Sequence, residues 1–126
     1  MVINILNYIK RNGDKMECTL VTTAHDESIT LKAMVESECS RCIVLYQHTF
    51  EKVPECSDED IEYVKIEGFH GNAVNEIEKA LDGLKNVKFY LANVHLDIYL
   101  LYYILIKKGD YPIWIFDNNQ FVKMPK

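Results

Sequence analysis

No stretch of this chain is long and apolar enough to cross a bilayer as a helix. The most apolar run, Ile98 to Ile106, falls well short of the ~20 residues that such a helix needs. Basic charge is also scarce: 14 Lys and Arg stand against 19 Asp and Glu, a net charge of −5. That excludes the broad basic face on which DNA or an anionic membrane would bind. A small nucleotide in a pocket stays open, because backbone N–H groups can do much of the work of holding an anion. The N-terminus shows no apolar run leading to a small-residue cleavage site, so a cytoplasmic protein is expected. Paired metal-ligand motifs are missing too. Cysteine occurs at Cys18, Cys39, Cys42 and Cys56, and only Cys39-Ser-Arg-Cys42 has ligand spacing. With His48 and Cys56 it makes one possible zinc set. The competing reading is a helix end followed by a buried strand cysteine at Cys42, with Cys18 inside another strand. In a cytosolic chain these thiols are expected to be reduced. A redox C-x-x-C opens a helix whose dipole lowers the thiol pKa, whereas this one closes a helix. No cofactor and no resident metal is expected.

What remains is a chain of 126 residues, 48% apolar, enough for one globular domain with a sizeable core. Residues 2–11 read as a short helix, with Val2, Ile5, Leu6 and Ile9 on one face and Asn12-Gly13 as its stop. Residues 1–15 are accordingly taken as an N-terminal helical extension, and 16–126 as the domain. Glu17 to Thr23 reads as a strand. Asp26 is a good N-cap for a helix to about Glu38, and Glu27 complements its positive dipole end. Cys42 to Gln47 is a continuous apolar run, as in a parallel strand buried on both faces. His48 to Asp60 is polar and acidic, contains Pro54, and reads as a loop. Ile61 to Glu67 alternates as a third strand. Gly71-Asn72 starts a helix in which Val74, Ile77, Ala80, Leu81 and Leu84 recur at helical spacing. Asn86 turns the chain into a strand over Val87 to Leu91. Asn93 caps a helix to about Lys108, with Gly109 beyond its end. Ile113 to Phe116 and Phe121 to Met124 form a hairpin, and Asn118-Asn119 suits a tight primed turn.

Strands alternating with helices predict an α/β fold. The sheet is Rossmann-like, doubly wound and mostly parallel, with about six strands and a C-terminal hairpin. The helix beginning at His95 is apolar on nearly all sides. A helix with water on one face would not look like this. Its outer face needs a cover, either a second copy related by a two-fold axis or the N-terminal helix. A homodimer is the expected arrangement.

Ligands of open α/β sheets bind at the carboxyl ends of the strands, where the strand order reverses. The two loops that fit this description are Thr22-Thr23-Ala24-His25-Asp26 and Ala92-Asn93-Val94-His95-Leu96-Asp97. The expected ligand contacts are Thr22, Thr23, Ala24, His25 and Asp26 from the first, with Asn93, Val94 and His95 from the second. Neutral histidine hydrogen-bonds a base or ribose, and protonated histidine pairs with phosphate. His25 and His95 are the candidate catalytic groups; the alternative for each is a partly exposed cap residue. Thr22, Thr23 and Asn93 could donate to phosphate or ribose, although turn and cap chemistry also accounts for Asn93 and Asp26. His70, after the third strand, is a candidate for the same rim or a plain loop residue.

Several segments resemble one family. They are Cys18-Thr19-Leu20-Val21-Thr22-Thr23-Ala24-His25-Asp26-Glu27, Arg41-Cys42-Ile43-Val44-Leu45-Tyr46, Glu62-Tyr63-Val64-Lys65-Ile66, and Lys88-Phe89-Tyr90-Leu91 with its long apolar helix. From about residue 16 to 124 the chain resembles the CARF domain, the CRISPR-associated Rossmann-like fold, in the form found in archaeal CRISPR transcriptional regulators. The resemblance implies a homodimer with a cyclic oligoadenylate lying across the two-fold axis, cradled by the first and fourth strand loops of both copies. Here those loops are Thr22 to Asp26 and Asn93 to Asp97. The family's fourth loop often carries a Gly-rich motif and a basic residue. Asn93-Val94-His95-Leu96-Asp97 has neither, which limits close backbone approach to phosphate. The link from second to third strand is shorter than the family's usual helix, and no winged-helix or nuclease segment is expected after Lys126. The expected function is to bind the cyclic oligoadenylate signal as sensor or sink. One alternative is a ring nuclease, cleaving a phosphodiester without metal by positioning and histidine acid–base help. Another is a Rossmann-like interaction subunit without a ligand.

Overall fold

The computed structural model describes residues 16–23, 26–47, 60–107 and 109–125. The predicted N-terminal helix, His48 and Cys56 lie outside the described residues. The fold is α/β, with six strands: β1 (Met16–Thr22), β2 (Cys39–Tyr46), β3 (Ile61–Lys65), β4 (Val87–Leu91), β5 (Ile113–Asp117) and β6 (Gln120–Lys123). Three helices are α1 (Glu27–Ser37), α2 (Gly71–Leu81) and α3 (Val94–Lys107). The sheet order is β3-β2-β1-β4-β5-β6. All neighbours run parallel except β5 and β6, which pair antiparallel. This is the doubly wound, Rossmann-like arrangement expected from alternating strands and helices.

The period-2 alternation of the strands sorts the core into two layers. Val21, Ile43, Leu45, Phe89 and Leu91 pack with Ile77 and Leu81 of α2 and with Leu96, Leu100 and Ile104 of α3. The intervening residues Leu20, Cys42, Val44 and Tyr90 form a second cluster with Ala33 of α1. So α2 and α3 cover one face and α1 the other. Cys42, Ile43, Val44 and Leu45 are all buried, as a strand covered on both faces requires.

Local chemistry sets the element ends. The Asp26 carboxylate accepts from Ile29 N at 2.8 Å and starts α1. Asn118 and Asn119 both hold positive φ, 51° and 64°, the geometry of the expected primed hairpin turn. Asn86, at φ 55°, turns the chain into β4.

Two expectations about the cysteines are corrected. β2 starts at Cys39, three residues before the apolar run. Glu38 adopts the left-handed conformation and ends α1 abruptly, so Cys39 enters the sheet opposite Met16. The Cys18 and Cys39 thiols are not free: they form a disulfide across β1 and β2, with Cα atoms 4.8 Å apart. The β1–β2 register shifts between Met16 and Thr19, so the bond pins the two strands where their pairing is irregular. A disulfide sulfur is not a thiolate ligand, which removes Cys39 from the zinc set. Among the described residues no group of three His, Cys, Asp or Glu side chains comes together as a metal site. Non-reducing peptide mapping is expected to return Cys18 and Cys39 in one linked peptide. Recovery of both as alkylated thiols would contradict the bond.

Among the described residues, no helix is long and apolar enough to cross a membrane.

Candidate functional site

β1 and β4 are neighbours at the centre of the sheet, and their chains leave toward opposite faces, β1 into α1 and β4 into α3. Strand order reverses here, the place where open α/β sheets hold their ligand crevice, at the carboxyl ends of these two strands. The first and fourth strand loops therefore lie side by side, as their positions in sequence predicted.

The loops are also bonded to each other. Thr23, fully buried, sends its N–H to the Tyr90 carbonyl at 3.4 Å. Its hydroxyl donates to Asp97 Oδ1 at 2.5 Å and accepts from Ala92 N at 2.9 Å. The other Asp97 oxygen accepts from Asn93 N at 3.1 Å. Asn93 caps α3 in turn, its Oδ1 accepting from His95 N at 3.2 Å. Residues 74 positions apart thus make one network: Thr23 from the first loop, Ala92, Asn93, His95 and Asp97 from the second.

Asp97 is the electrostatic centre of this network. Burial pushes its carboxyl up to about 6; the hydrogen bonds from Thr23 and Asn93 N oppose that by favouring the charged form. It also sits in the first turn of α3, where the positive dipole end stabilises an anion. A bound phosphate would compete with this carboxylate for the same end of the helix. Base and ribose groups meet no such conflict.

The predicted ligand residues divide accordingly. Asn93 is partly buried, while Val94 and His95 are exposed at the mouth. Thr22 and Thr23 are fully buried, and the Thr23 hydroxyl serves the loop tie. The Asp26 carboxylate caps α1 and also accepts from Ser28 Oγ at 2.9 Å. Ala24 and His25 lie outside the described residues. His70 stands elsewhere: it flanks a groove between α2 and α3 and meets Tyr99 edge-on at 6.2 Å. Asp97 was not among the predicted ligand or catalytic residues. Its signal was present, an acid four residues after an Asn cap, but the burial that raises its pKa and its Thr23 partner, in the loop after β1, are set by the fold.

No family model matches the chain, and no curated protein matches it in sequence.

Proposed function

We propose that the crevice above β1 and β4 binds a cyclic oligoadenylate between two copies of the chain, as a CARF-like sensor or sink of that signal in CRISPR defence. One observation carries this reading: the first and fourth strand loops adjoin at the switch point of a Rossmann-like sheet and are locked together by Thr23 and Asp97. A preorganised pair of loops loses little freedom when a ligand arrives. Asn93, Val94 and His95 supply the mouth, and an exposed imidazole suits adenine or ribose. With Asp97 at the helix end, recognition rests on base and ribose rather than on close phosphate contact. Cytoplasmic action is part of the proposal, and it requires that the Cys18–Cys39 bond persist against a reducing thiol pool.

Titration calorimetry with cyclic tri-, tetra- and hexa-adenylate tests it. One ring size is expected to bind, and His95→Ala to weaken it about tenfold, the worth of one hydrogen bond. No heat with any ring removes the proposal. Chromatography of the ring after incubation separates binding from cleavage. A His95→Ala variant that cleaves at the parental rate takes His95 out of any ring-nuclease mechanism.

A second reading, an interaction subunit without a ligand, is favoured by the missing glycine in the fourth loop and by the exposed apolar face of α3. A stable dimer that binds no nucleotide would support it.

A further inference from the structure

α2 and α3 lie side by side on one face of the sheet. Between them runs a groove of about 500 Å3, within the range of small-ligand pockets. Its walls are Val74 of α2 and Ile98, Tyr99, Tyr102 and Leu105 of α3, and among the described residues no carboxylate lines it. A chain with 19 acidic residues and a net charge of −5 has little such surface. Apart from the two phenols, the sole titratable group in the lining is His70, which stands with Gly71 at one end. His70 is held at φ 54°, a backbone conformation that residues other than glycine seldom adopt. Its ring meets Tyr99 edge-on at 6.2 Å. Gly71 leaves room beside it, since a Cβ added there would meet nothing within 4 Å. The first turn of α2 carries no acid and takes no cap from the His70 side chain, so this end of the groove is electropositive. Glu76 does not cancel that. It projects about 200° around the helix from Val74 and accepts from Glu67 N and Gly68 N on the far side. Beyond Leu105 the Lys107–Glu78 ion pair, 3.4 Å, bridges the two helices. From Gly71 to Glu78 the helix rises about 10 Å, the span of an extended chain of about eight carbons.

We propose that this groove binds a small anionic amphiphile, a single apolar tail ending in one carboxylate. The tail lies along Val74, Ile98 and Leu105, and the carboxylate meets His70 and the first N–H groups of α2. Charge complementarity selects this occupant. The walls offer a tail nothing but apolar and aromatic surface, and Ile98, Tyr102 and Leu105 are otherwise exposed to water, so covering them is favourable. The His70 end offers an imidazole and open N–H donors, which suit a carboxylate. A cationic head would oppose the helix dipole, and an uncharged head would leave that end without an anion. The site is separate from the crevice above β1 and β4 and does not rest on ring binding there.

Octanoate, octylammonium and octanol share one chain length on three different heads. Each is titrated into the whole chain labelled with 15N, and amide shifts are followed. Octanoate is expected to shift Gly71, Val74, Tyr99 and Leu105, with half-saturation at about 0.1–1 mM, the affinity that so few atoms can supply. Octylammonium should bind at least ~10-fold more weakly, with octanol between the two. Leu105→Glu, at an exposed position, sets a charge against the tail and should weaken octanoate at least ~10-fold with an unchanged circular dichroism spectrum. His70→Asn retains a residue that tolerates positive φ; it should bring octanoate toward the affinity of octanol and leave octanol itself unchanged. The absence of saturable shifts at these residues up to about 5 mM octanoate overturns the proposal. Slow amide exchange along the groove would then assign it to a second copy if sedimentation shows a dimer, and to residues 1–15 if it shows a monomer. Equal affinities for octanoate and octylammonium also overturn it, as does octanoate binding that Leu105→Glu leaves intact. None of these results bears on calorimetry with cyclic oligoadenylates, which tests the crevice alone.

Discussion

Thr23→Val is expected to lower the free energy of unfolding by about 3 kcal/mol. Valine fills nearly the same space, so the fully buried site is not hollowed out, and the loss is confined to the hydroxyl. That hydroxyl makes two bonds, one to the Asp97 carboxylate and one from Ala92 N. A hydrogen bond to a charged group contributes about 1.5–3 kcal/mol and a neutral one about 1. Their joint removal accounts for the figure. Urea unfolding followed by circular dichroism measures it, and the slope of the transition should stay at its wild-type value. A loss below about 0.5 kcal/mol, the level of an ordinary surface change, would show that the loops do not depend on this tie. Because Thr23 and Asp97 are in contact, Thr23→Val and Asp97→Asn should not add: the double variant is expected to lose less than the sum of the single losses. The proposed function has a stake in this outcome, since loops that part on loss of one hydroxyl no longer present Asn93 and His95 on a fixed frame.

The elements legible in the sequence are those specified by neighbours in the chain. Asp26 and Asn93 sit where each helix needs an acceptor for its first N–H groups, and both cap as expected. The Asn118-Asn119 turn follows from the tolerance of asparagine for positive φ. The doubly wound, mostly parallel class of the sheet was accessible because alternating strands and helices admit few right-handed arrangements. The start of β2 was not accessible in the same way. Cys39-Ser40-Arg41 has no apolar run, and what draws it into the sheet is pairing with β1 and the bond to Cys18, both nonlocal. The crevice shows the same division. Its location follows from topology, and the exposure of Val94 and His95 from their place in the first turn of a helix. The state of Asp97 does not, because its burial is set by the fold and its Thr23 partner comes from the first-strand loop, 74 residues away in sequence. Apolar residues all round α3 signalled that both of its sides need cover; only the three-dimensional arrangement shows which side the sheet leaves bare.

Asp97 should also make stability depend on pH in the sense opposite to that of a salt-bridged carboxylate. Its carboxyl is pushed up to about 6 from 3.8 because burial disfavours the charge more than its hydrogen bonds favour it. Between these two values the folded protein holds the proton more tightly than the unfolded chain does. Folding is therefore favoured most below about pH 4, and that contribution is lost as pH rises through 6. At roughly 1.4 kcal/mol per unit, the full loss approaches about 3 kcal/mol. Asparagine carries no charge at any of these pH values. The Asp97→Asn variant is thus expected to gain on the wild type as pH rises: the difference in their unfolding free energies should shift toward the variant by about 2.4 kcal/mol between pH 4 and pH 7, and level off above about pH 7. Taking the difference cancels the titration of every carboxylate that the two proteins share. Denaturant titrations at half-unit pH steps give the curve directly. A flat difference would mean that Asp97 titrates as an ordinary solvated carboxylate, and the crevice would then hold no buried acid. A slope of the expected sign makes Asp97 the site's own proton acceptor near pH 6: at neutral pH the head of α3 already bears a negative charge, and an incoming phosphate would face repulsion there that an adenine ring or a ribose hydroxyl would not.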